Sequence, residues 1–332
     1  MNKSFLKFLC DPITKEDLQL VDPVITENGN IKEGKLCSKS NTYRIVNFIP
    51  RFVLNQGYSD NFGYQWNKWA KVQFEDENLG RPMQDHTTNM FKSITGFCTE
   101  SLSGKVVLDQ GCGPGRFTDV ALKMGARVIA LDYSSAIDVA RLNLSGKEES
   151  VLFVQADALL MPIKDCVIDY AFTIGVLHHT PIPFKGVLEA HRVLKDNGGT
   201  YAMRVYPKRG PGVGLIALAK GFYSYPMVRL WRSIFIKLRP IFSFYPPLVY
   251  SYLFGTIGYL LAKIYRPLSY PIRAVFPTAF LPDYRWTILD TFDAVATSYQ
   301  SGHDPGEIED WLNKANFLKV TQRQHNDFTA TK

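Results

Sequence analysis

The sequence has few cysteines and lacks the features of a secreted protein. It holds five in 332 residues, an odd number with no close pairs. This argues against a disulfide framework and predicts a reduced, cytoplasmic setting. The first residues, MNKSFLKFLCDPITKEDL, meet charge too early for a secretory signal, so we expect none. Internal repeats and low-complexity tracts are also missing, which argues against a solenoid.

Acidic residues are missing from one long segment. From Asn197 to Pro282 there is no Asp or Glu, although the chain as a whole contains 31 of them. The basic residues of this segment are Arg204, Lys208, Arg209, Lys220, Arg229, Arg232, Lys237, Arg239, Lys263, Arg266 and Arg273. The net charge of +7 is therefore concentrated there and favours an anionic partner.

A transmembrane span is not predicted either. The run PIFSFYPPLVYSYLFGTIGYLLA is uncharged, but Pro246 and Pro247 split it and leave less than the roughly 20 residues that a span needs. YPMVRLWRSIFIKLRPIF instead predicts an interfacial helix that buries Trp and Phe and directs its bases toward lipid phosphates. We therefore predict a peripheral membrane contact through residues 207–283. A solvated helical lid and single-stranded nucleic acid are the alternatives.

Strands and helices alternate from Lys105 onward. The segments KVVLD, RVIALD, VLFVQAD, VIDYAFTI and TYAMRVY read as strands separated by helical patterns. This alternation predicts an α/β fold with a doubly wound, mainly parallel sheet.

The stretch VVLDQGCGPGRFTDV places an acid before a glycine-rich loop at the carboxyl end of a strand, where such sheets bind ligands. Asp132 and Asp157 end the next two strands. A nicotinamide dinucleotide would require glycine at the position of Arg116, and Asp109 would repel its pyrophosphate. S-adenosylmethionine carries an ammonium and a sulfonium but no phosphate, and so suits an acidic site.

These stretches, with VIALDYSSAIDVAR and FVQADALLMPIKDCVIDYAFTIGVLHHT, resemble class I S-adenosylmethionine-dependent methyltransferases, of the type 11 kind, over residues 101–205. The resemblance implies a Rossmann-like core with a seven-stranded sheet, and an enzyme that uses S-adenosylmethionine. Cys112 would be a small space-filling residue rather than a nucleophile. The predicted cofactor site comprises Asp109, Gly111, Cys112, Gly113, Gly115, Asp132, Tyr133, Ser134, Asp157, Ala158, Ile174 and Gly175.

The flanking segments have relatives too. LCDPITKEDLQL with GKLCSKSNTYRIVNFIPRFV is similar to a zinc-ribbon-like domain, but Thr14 and Ser40 replace two of its four cysteines. Cys10 and Cys37 cannot close a four-ligand site, so no metal is expected. The predicted organisation is a degenerate zinc-ribbon-like domain at 1–54, a helical lead-in or lid at 55–100, the core at 101–206 and 284–332, and a helical substrate cap at 207–283.

Catalytic candidates follow the fourth core strand, in GVLHHT. His178 and His179 are the candidate bases, although either could simply shape the loop. Gln65, Trp66, Asp293 and Tyr299 are the predicted acceptor contacts. The favoured function is methylation of a small-molecule, sugar or lipid-linked acceptor. Methylation of tRNA or a translation factor and a non-catalytic cofactor-binding module are the alternatives.

Overall fold

The computed structural model describes residues 1–53, 59–208 and 225–332. Its strands are β1 Gln19–Ile25, β2 Ile31–Cys37, β3 Thr42–Val46, β4 Ile49–Arg51, β5 Val106–Gln110, β6 Arg127–Asp132, β7 Val151–Gln155, β8 Tyr170–Ile174, β9 Thr200–Arg204, β10 Leu318–Gln324 and β11 Asp327–Thr331. Its helices are α1 Asp60–Lys68, α2 His86–Thr95, α3 Thr99–Leu102, α4 Arg116–Lys123, α5 Ala136–Asn143, α6 Pro183–Val193, α7 Tyr225–Phe242, α8 Tyr245–Ile264, α9 Tyr270–Val275, α10 Tyr284–Ala296 and α11 Pro305–Lys314.

The described strands form one sheet in the order β1-β2-β3-β4-β7-β6-β5-β8-β9-β11-β10. Strands β5 to β9 are parallel, while β11 runs antiparallel to both β9 and β10. β7 is buried along its whole length, as expected for a parallel strand covered on both faces. These seven core strands confirm the predicted doubly wound α/β fold. The strand order reverses at β5, which opens a crevice at the carboxyl ends of β5 and β8.

The N-terminal strands extend this sheet. β4 pairs with β7 in parallel, with Arg51 opposite Gln155, so β1 to β4 continue the core sheet. The Arg51 guanidinium also holds the Asp138 carboxylate of α5 at 2.6 Å. Phe5 and Leu9 pack in the same hydrophobic cluster as the core strands. The β-rich segment predicted at 1–54 is thus present, but it shares its sheet and core with the rest of the chain.

A buried carboxylate joins the two turns in which a zinc-ribbon would hold its metal. Asp11 is fully buried and lies between the turn at Cys10 and the turn at Cys37. It accepts hydrogen bonds from five groups: Ile13 N, Thr14 N, Ser38 Oγ, Asn41 Nδ2 and Tyr43 Oη, at 2.6–3.1 Å. Desolvation raises the pKa of Asp11, but these hydrogen bonds outweigh it and hold the pKa well below its usual value. The carboxylate therefore cross-links both turns. The zinc content itself stays a prediction.

Replacing Asp11 with alanine is expected to cost about 1–3 kcal/mol of stability at neutral pH, because it leaves buried donors without an acceptor. Folding lowers the pKa of this group. Its contribution is therefore present above the unfolded-state pKa of about 4 and is lost as the pH falls toward the lowered value. Urea unfolding as a function of pH measures both effects. The control is Asp17→Ala, whose carboxylate is 81% exposed. Equal stability of the two variants would contradict this role.

The inserted segment is helical where it is described, but it differs from the predicted interfacial helix. The half-buried Trp231 and the buried Phe235 of α7 pack against Tyr250 of α8. The Pro246–Pro247 pair occupies the first turn of α8 rather than interrupting a helix. Prolines fit there because the first helical N–H groups have no partner within the helix. No helix in the described ranges is both long and apolar enough to cross a membrane.

Three bases of the insertion point inward, contrary to the prediction that its bases face lipid phosphates. Arg232 donates to Ala294 O and Gln300 Oε1, and Arg239 to Ala296 O and Ser298 Oγ. Arg273 is 1% exposed and donates to Thr278 O. Arg232 and Arg239 therefore bind the insertion to α10 and the chain that follows, while Arg273 makes its contact within the insertion. Arg209 and Lys220 lie outside the described residues.

Candidate cofactor and acceptor site

A cavity of about 410 Å³ opens at the switch point of the sheet. Its volume lies within the range of small-molecule sites. The glycine loop, the ends of β6 and β8, and helices α1, α7 and α10 supply its walls. The predicted lead-in and the inserted cap therefore both border the crevice of the core.

The glycine loop approaches its neighbours more closely than other residues could. Gly111 has φ of +95°, and a Cβ there would lie 2.3 Å from Val176 Cγ1. Gly113 has φ of +53°, and its Cβ would lie 3.1 Å from the indole nitrogen of Trp66. Only glycine adopts such φ values at little cost. The loop is thus held between the end of β8 and helix α1.

Asp132 connects the loop to the next strand. Its carboxylate accepts from Gly113 N at 2.8 Å, Ser134 N at 2.8 Å and Ser134 Oγ at 2.7 Å. A carboxylate offers about four acceptor positions. The three bonds leave one for a ligand hydroxyl at the cavity wall, which fits a ribose. Burial raises the pKa of Asp132, although these hydrogen bonds oppose the shift.

Eight of the predicted cofactor residues line the cavity: Gly111, Cys112, Gly113, Asp132, Tyr133, Ala158, Ile174 and Gly175. The other four, Asp109, Gly115, Ser134 and Asp157, are not part of its lining. Gly115 precedes α4, and Ser134 and Asp157 hydrogen-bond backbone N–H groups of the turns that follow their strands. These three residues support the backbone around the cavity without lining it.

Asp109 also differs from the expectation that it faces the ligand. It is 2% exposed and accepts from Thr118 Oγ1 at 2.6 Å, because its side chain points toward α4. Burial raises the pKa of Asp109 to about 7, with the nearby Asp132 adding to the shift and Thr118 opposing it. The Asp109 carboxylate does not line the cavity, so its charge can favour a cationic ligand only across the glycine loop.

The two candidate histidines lie in different environments. His178 is fully buried, stacks on Tyr206 with ring centroids 3.8 Å apart, and accepts from Tyr206 N through Nδ1. It does not line the cavity, and burial lowers its pKa well below the usual value. We therefore interpret it as a neutral residue that shapes the loop.

His179 does line the cavity. Its Nδ1 lies 2.8 Å from Tyr299 O, and because a carbonyl only accepts, Nδ1 carries the hydrogen. Nε2 is then a lone-pair acceptor. Burial lowers the pKa of His179 to about 4. The Tyr299 side chain is 41% exposed and absent from the cavity wall, so only its backbone carbonyl serves the site, which corrects its prediction as an acceptor contact.

The cavity also combines ionisable and apolar groups in its wall. Asp290 and Asp293, one turn apart on α10, line it together with Arg116 and Arg232. Burial raises the pKa of Asp290 to about 7, the repulsion of Asp293 adds to this, and Arg116 opposes it. No hydrogen bond to the Asp290 carboxylate forms within the described part of the chain. Apolar neighbours include Met90, Phe117, Val228, Trp286 and Leu289.

Of the remaining predicted acceptor contacts, Gln65, Trp66 and Asp293 lie on the cavity wall. Burial raises the pKa of Asp293, whereas Arg232 and hydrogen bonds from Gln65 and Tyr206 lower it. Asp293 thus receives hydrogen bonds, whereas Asp290 accepts none from the described residues and interacts with Arg116 through charge alone.

Six further residues line the cavity although sequence reasoning assigned them no ligand role: His86, Arg116, Arg204, Tyr206, Arg232 and Gln300. They come from separate elements, so no local motif joins them. Arg116 gave the clearest signal, since a large cation replaces the last glycine of a dinucleotide loop at the start of α4.

Comparisons with known proteins agree with this geometry. A family described as "Methyltransferase domain" matches residues 108–202. The ubiquinone biosynthesis O-methyltransferase of Nitrosococcus oceani is 30% identical over 162 residues, 48% of this chain and 67% of that protein. The demethylmenaquinone methyltransferase of Clavibacter sepedonicus is 37% identical over 111 residues, 33% of this chain and 44% of that protein.

Among solved structures, the YcgJ protein of Bacillus subtilis is 28% identical, with a TM-score of 0.31, and the match covers 37% of this chain and 51% of that one.

Among the sequence relatives, the match to the ubiquinone biosynthesis O-methyltransferase of Pseudomonas entomophila spans 61% of that protein's length.

The fold and the site together define a Rossmann-like protein with a cavity at the carboxyl edge of its parallel strands. This chain belongs to the class I S-adenosylmethionine-dependent methyltransferases, and its cofactor is S-adenosylmethionine.

Proposed function

We propose that this protein transfers the methyl group of S-adenosylmethionine to a hydroxyl of a hydrophobic small-molecule or lipid-linked acceptor. The supporting observation is a cavity whose wall combines the glycine loop and Asp132 with apolar side chains and the Asp290 carboxylate. The names of the relatives, which refer to ubiquinone and demethylmenaquinone, support a small organic acceptor.

The cofactor supplies a methyl group that its positive sulfonium makes ready for displacement. The protein would contribute position: Asp132 would accept from a ribose hydroxyl, and the backbone of the glycine loop would leave room for the aminoacyl end. Side chains of α1 and α10 would orient the acceptor and exclude water. Such positioning provides most of the rate enhancement in a displacement of this kind.

The acceptor hydroxyl must also lose its proton. A general base works best when its pKa lies near the working pH. Asp290, with a pKa raised to about 7, meets this condition, whereas His179, with a pKa lowered to about 4, is a weak base. We therefore assign proton removal to Asp290, with His179 Nε2 accepting a hydrogen bond from the acceptor.

Labelled S-adenosylmethionine tests the proposal. The protein is incubated with the label and either an organic-solvent extract, a soluble metabolite fraction or the tRNA of bacterial cells. Label transferred to a small molecule of the extract or metabolite fraction supports the proposal. Label in tRNA alone would replace it with the nucleic-acid alternative. Cofactor binding with no label transferred to any fraction would favour the non-catalytic module.

Replacing His179 with asparagine is expected to lower turnover about tenfold and leave cofactor affinity nearly unchanged. The Asn amide can still donate to Tyr299 O, but it lacks the acceptor at Nε2. The loss corresponds to about one hydrogen bond in the transition state. Steady-state kinetics with the identified acceptor and calorimetry with the cofactor measure the two quantities. His325→Asn, at an exposed position, is the control. Unchanged turnover would reduce His179 to a structural residue.

A further inference from the structure

The outward face of α8 is apolar along its whole length. The large side chains on this face are 37–76% exposed, and we call them the outer stripe: Tyr245, Val249, Tyr252, Leu253, Ile257, Leu260 and Ile264. Their spacing of three, four or seven residues places them on one side of the helix. The stripe extends to Ile241 and Phe242 at the end of α7, which are 74% and 53% exposed. Contiguous apolar patches of this kind mark interaction surfaces.

Close packing fixes which face of α8 points outward. Gly255 and Gly258 lie on the inner face, where an added Cβ would stand 2.9 Å from Ile288 Cδ1 and from Thr278 Oγ1 respectively. Tyr250 is also buried there and donates to Pro277 O. Rotating the helix to hide the outer stripe would therefore break these contacts. The packing of the inner face of α8 therefore keeps the outer stripe exposed.

The charged side chains of the insertion itself are of one sign. Arg229 and Lys237 lie on the exposed side of α7, and Lys263 and Arg266 lie at the end of α8; all four are exposed. No acidic residue occurs between Asn197 and Pro282 to offset them. An apolar helix face bordered by cations matches the boundary between anionic headgroups and acyl chains.

We propose that the outer stripe of α8 is a membrane-docking surface that seats the protein on anionic lipid bilayers. The apolar side chains enter the acyl boundary, while the four flanking bases contact lipid phosphates. The largely aliphatic stripe suits acyl chains better than nucleic-acid bases, which stack on aromatic rings. This assignment differs from an interfacial α7, because Trp231 and Phe235 of α7 already pack against Tyr250 of α8.

The docking surface lies on the same helical pair that borders the cavity. Val228 and Arg232 on the inner side of α7 line it, and α8 packs on α7 through Tyr250. A bilayer bound to α8 would therefore lie against the outer side of the inserted segment, whose inner side borders the cavity. From this position a lipid-linked acceptor could reach the site. The docking proposal itself stands on the surface alone and not on the reaction.

Vesicle sedimentation of the full chain tests the proposal. Vesicles of phosphatidylglycerol mixed with phosphatidylcholine are compared with phosphatidylcholine alone, at about 0.01 M and about 1 M salt. We expect binding to the anionic vesicles at low salt and at least a tenfold loss at high salt. Leu253→Glu with Leu260→Glu should reduce binding at least tenfold, and Lys237→Glu with Lys263→Glu by a similar factor.

Leu142→Glu on α5 is the matched control, since Leu142 is 63% exposed and far from the insertion in sequence. It should bind vesicles like the unaltered chain. Cofactor calorimetry on each variant shows that the core is folded, and it also separates a failure of docking from a failure of the proposed reaction. The proposal is overturned if the chain ignores anionic vesicles at low salt or if folded Leu253→Glu with Leu260→Glu binds unchanged. It is also overturned if this double variant instead dissolves a dimer of the chain.

Discussion

Replacing Asp290 with asparagine is expected to lower the rate of methyl transfer by about 10²–10⁴-fold, the usual contribution of a general base. Asparagine has nearly the same shape but cannot take a proton. Cofactor affinity should change far less, because the change leaves the glycine loop and Asp132 in place. Steady-state kinetics with the identified acceptor, together with cofactor calorimetry, make this comparison.

The pH profile distinguishes a base from a structural residue. Because the pKa of Asp290 is raised to about 7, kcat/KM of the unaltered protein should rise as the pH increases through 7 and then level off. The asparagine variant should lack this step. Asp310→Asn, at an exposed carboxylate of α11 paired with Lys314, should keep both the rate and the step. A full rate, or an unchanged step, in Asp290→Asn would refute the assignment.

Replacing Asp132 with alanine is expected to weaken S-adenosylmethionine binding by about 1–3 kcal/mol, or about 5- to 150-fold. The change removes the acceptor for ribose hydroxyls. It also releases Gly113 N and Ser134 N, so the glycine loop loses its link to the end of β6. Titration calorimetry with S-adenosylmethionine and S-adenosylhomocysteine measures the loss.

Ser134→Ala separates the two parts of that effect. It removes one hydrogen bond to the same carboxylate but leaves the charge and the acceptor positions in place. We expect it to lose clearly less affinity than Asp132→Ala. Equal losses of affinity would show that the hydrogen bonds that hold the loop, rather than a contact with the ribose, account for the whole effect. Undiminished binding in Asp132→Ala, or heat with NAD but none with S-adenosylmethionine, would contradict the site as described.

Much of the cofactor half of the site was predictable from sequence, because its residues follow one another closely at strand ends. Apolar runs ending in Asp109 and Asp132, with glycines between them, specify both the strand–turn–helix path and the chemistry of the loop. Whether a residue faces the cavity was harder to predict. Asp132 is the last residue of β6 and reaches the cavity wall, whereas Asp109 is the last but one of β5 and its carboxylate accepts from Thr118 of α4.

The acceptor half could not be predicted as a set, since its parts come from distant segments. Arg116, Arg232 and Asp290 meet only after α7 and α10 fold over the core. Neither could composition show which bases of the insertion are exposed. Arg232 and Lys237 look alike in the sequence, yet one enters the cavity and the other faces outward.

The sequence by itself thus determined the α/β core, the glycine loop, the class of cofactor and the acid-free insertion. These properties depend on local patterns: hydrophobic period, glycine at positive φ, and an acid at a strand end. The tertiary structure alone decided that β1 to β4 join the core sheet, that Asp11 links the two turns, and that Asp290 lies in the cavity wall with Asp293 and Arg116. It also decided that the apolar face of α8 is left outward, because burial and pairing depend on which distant segments pack together.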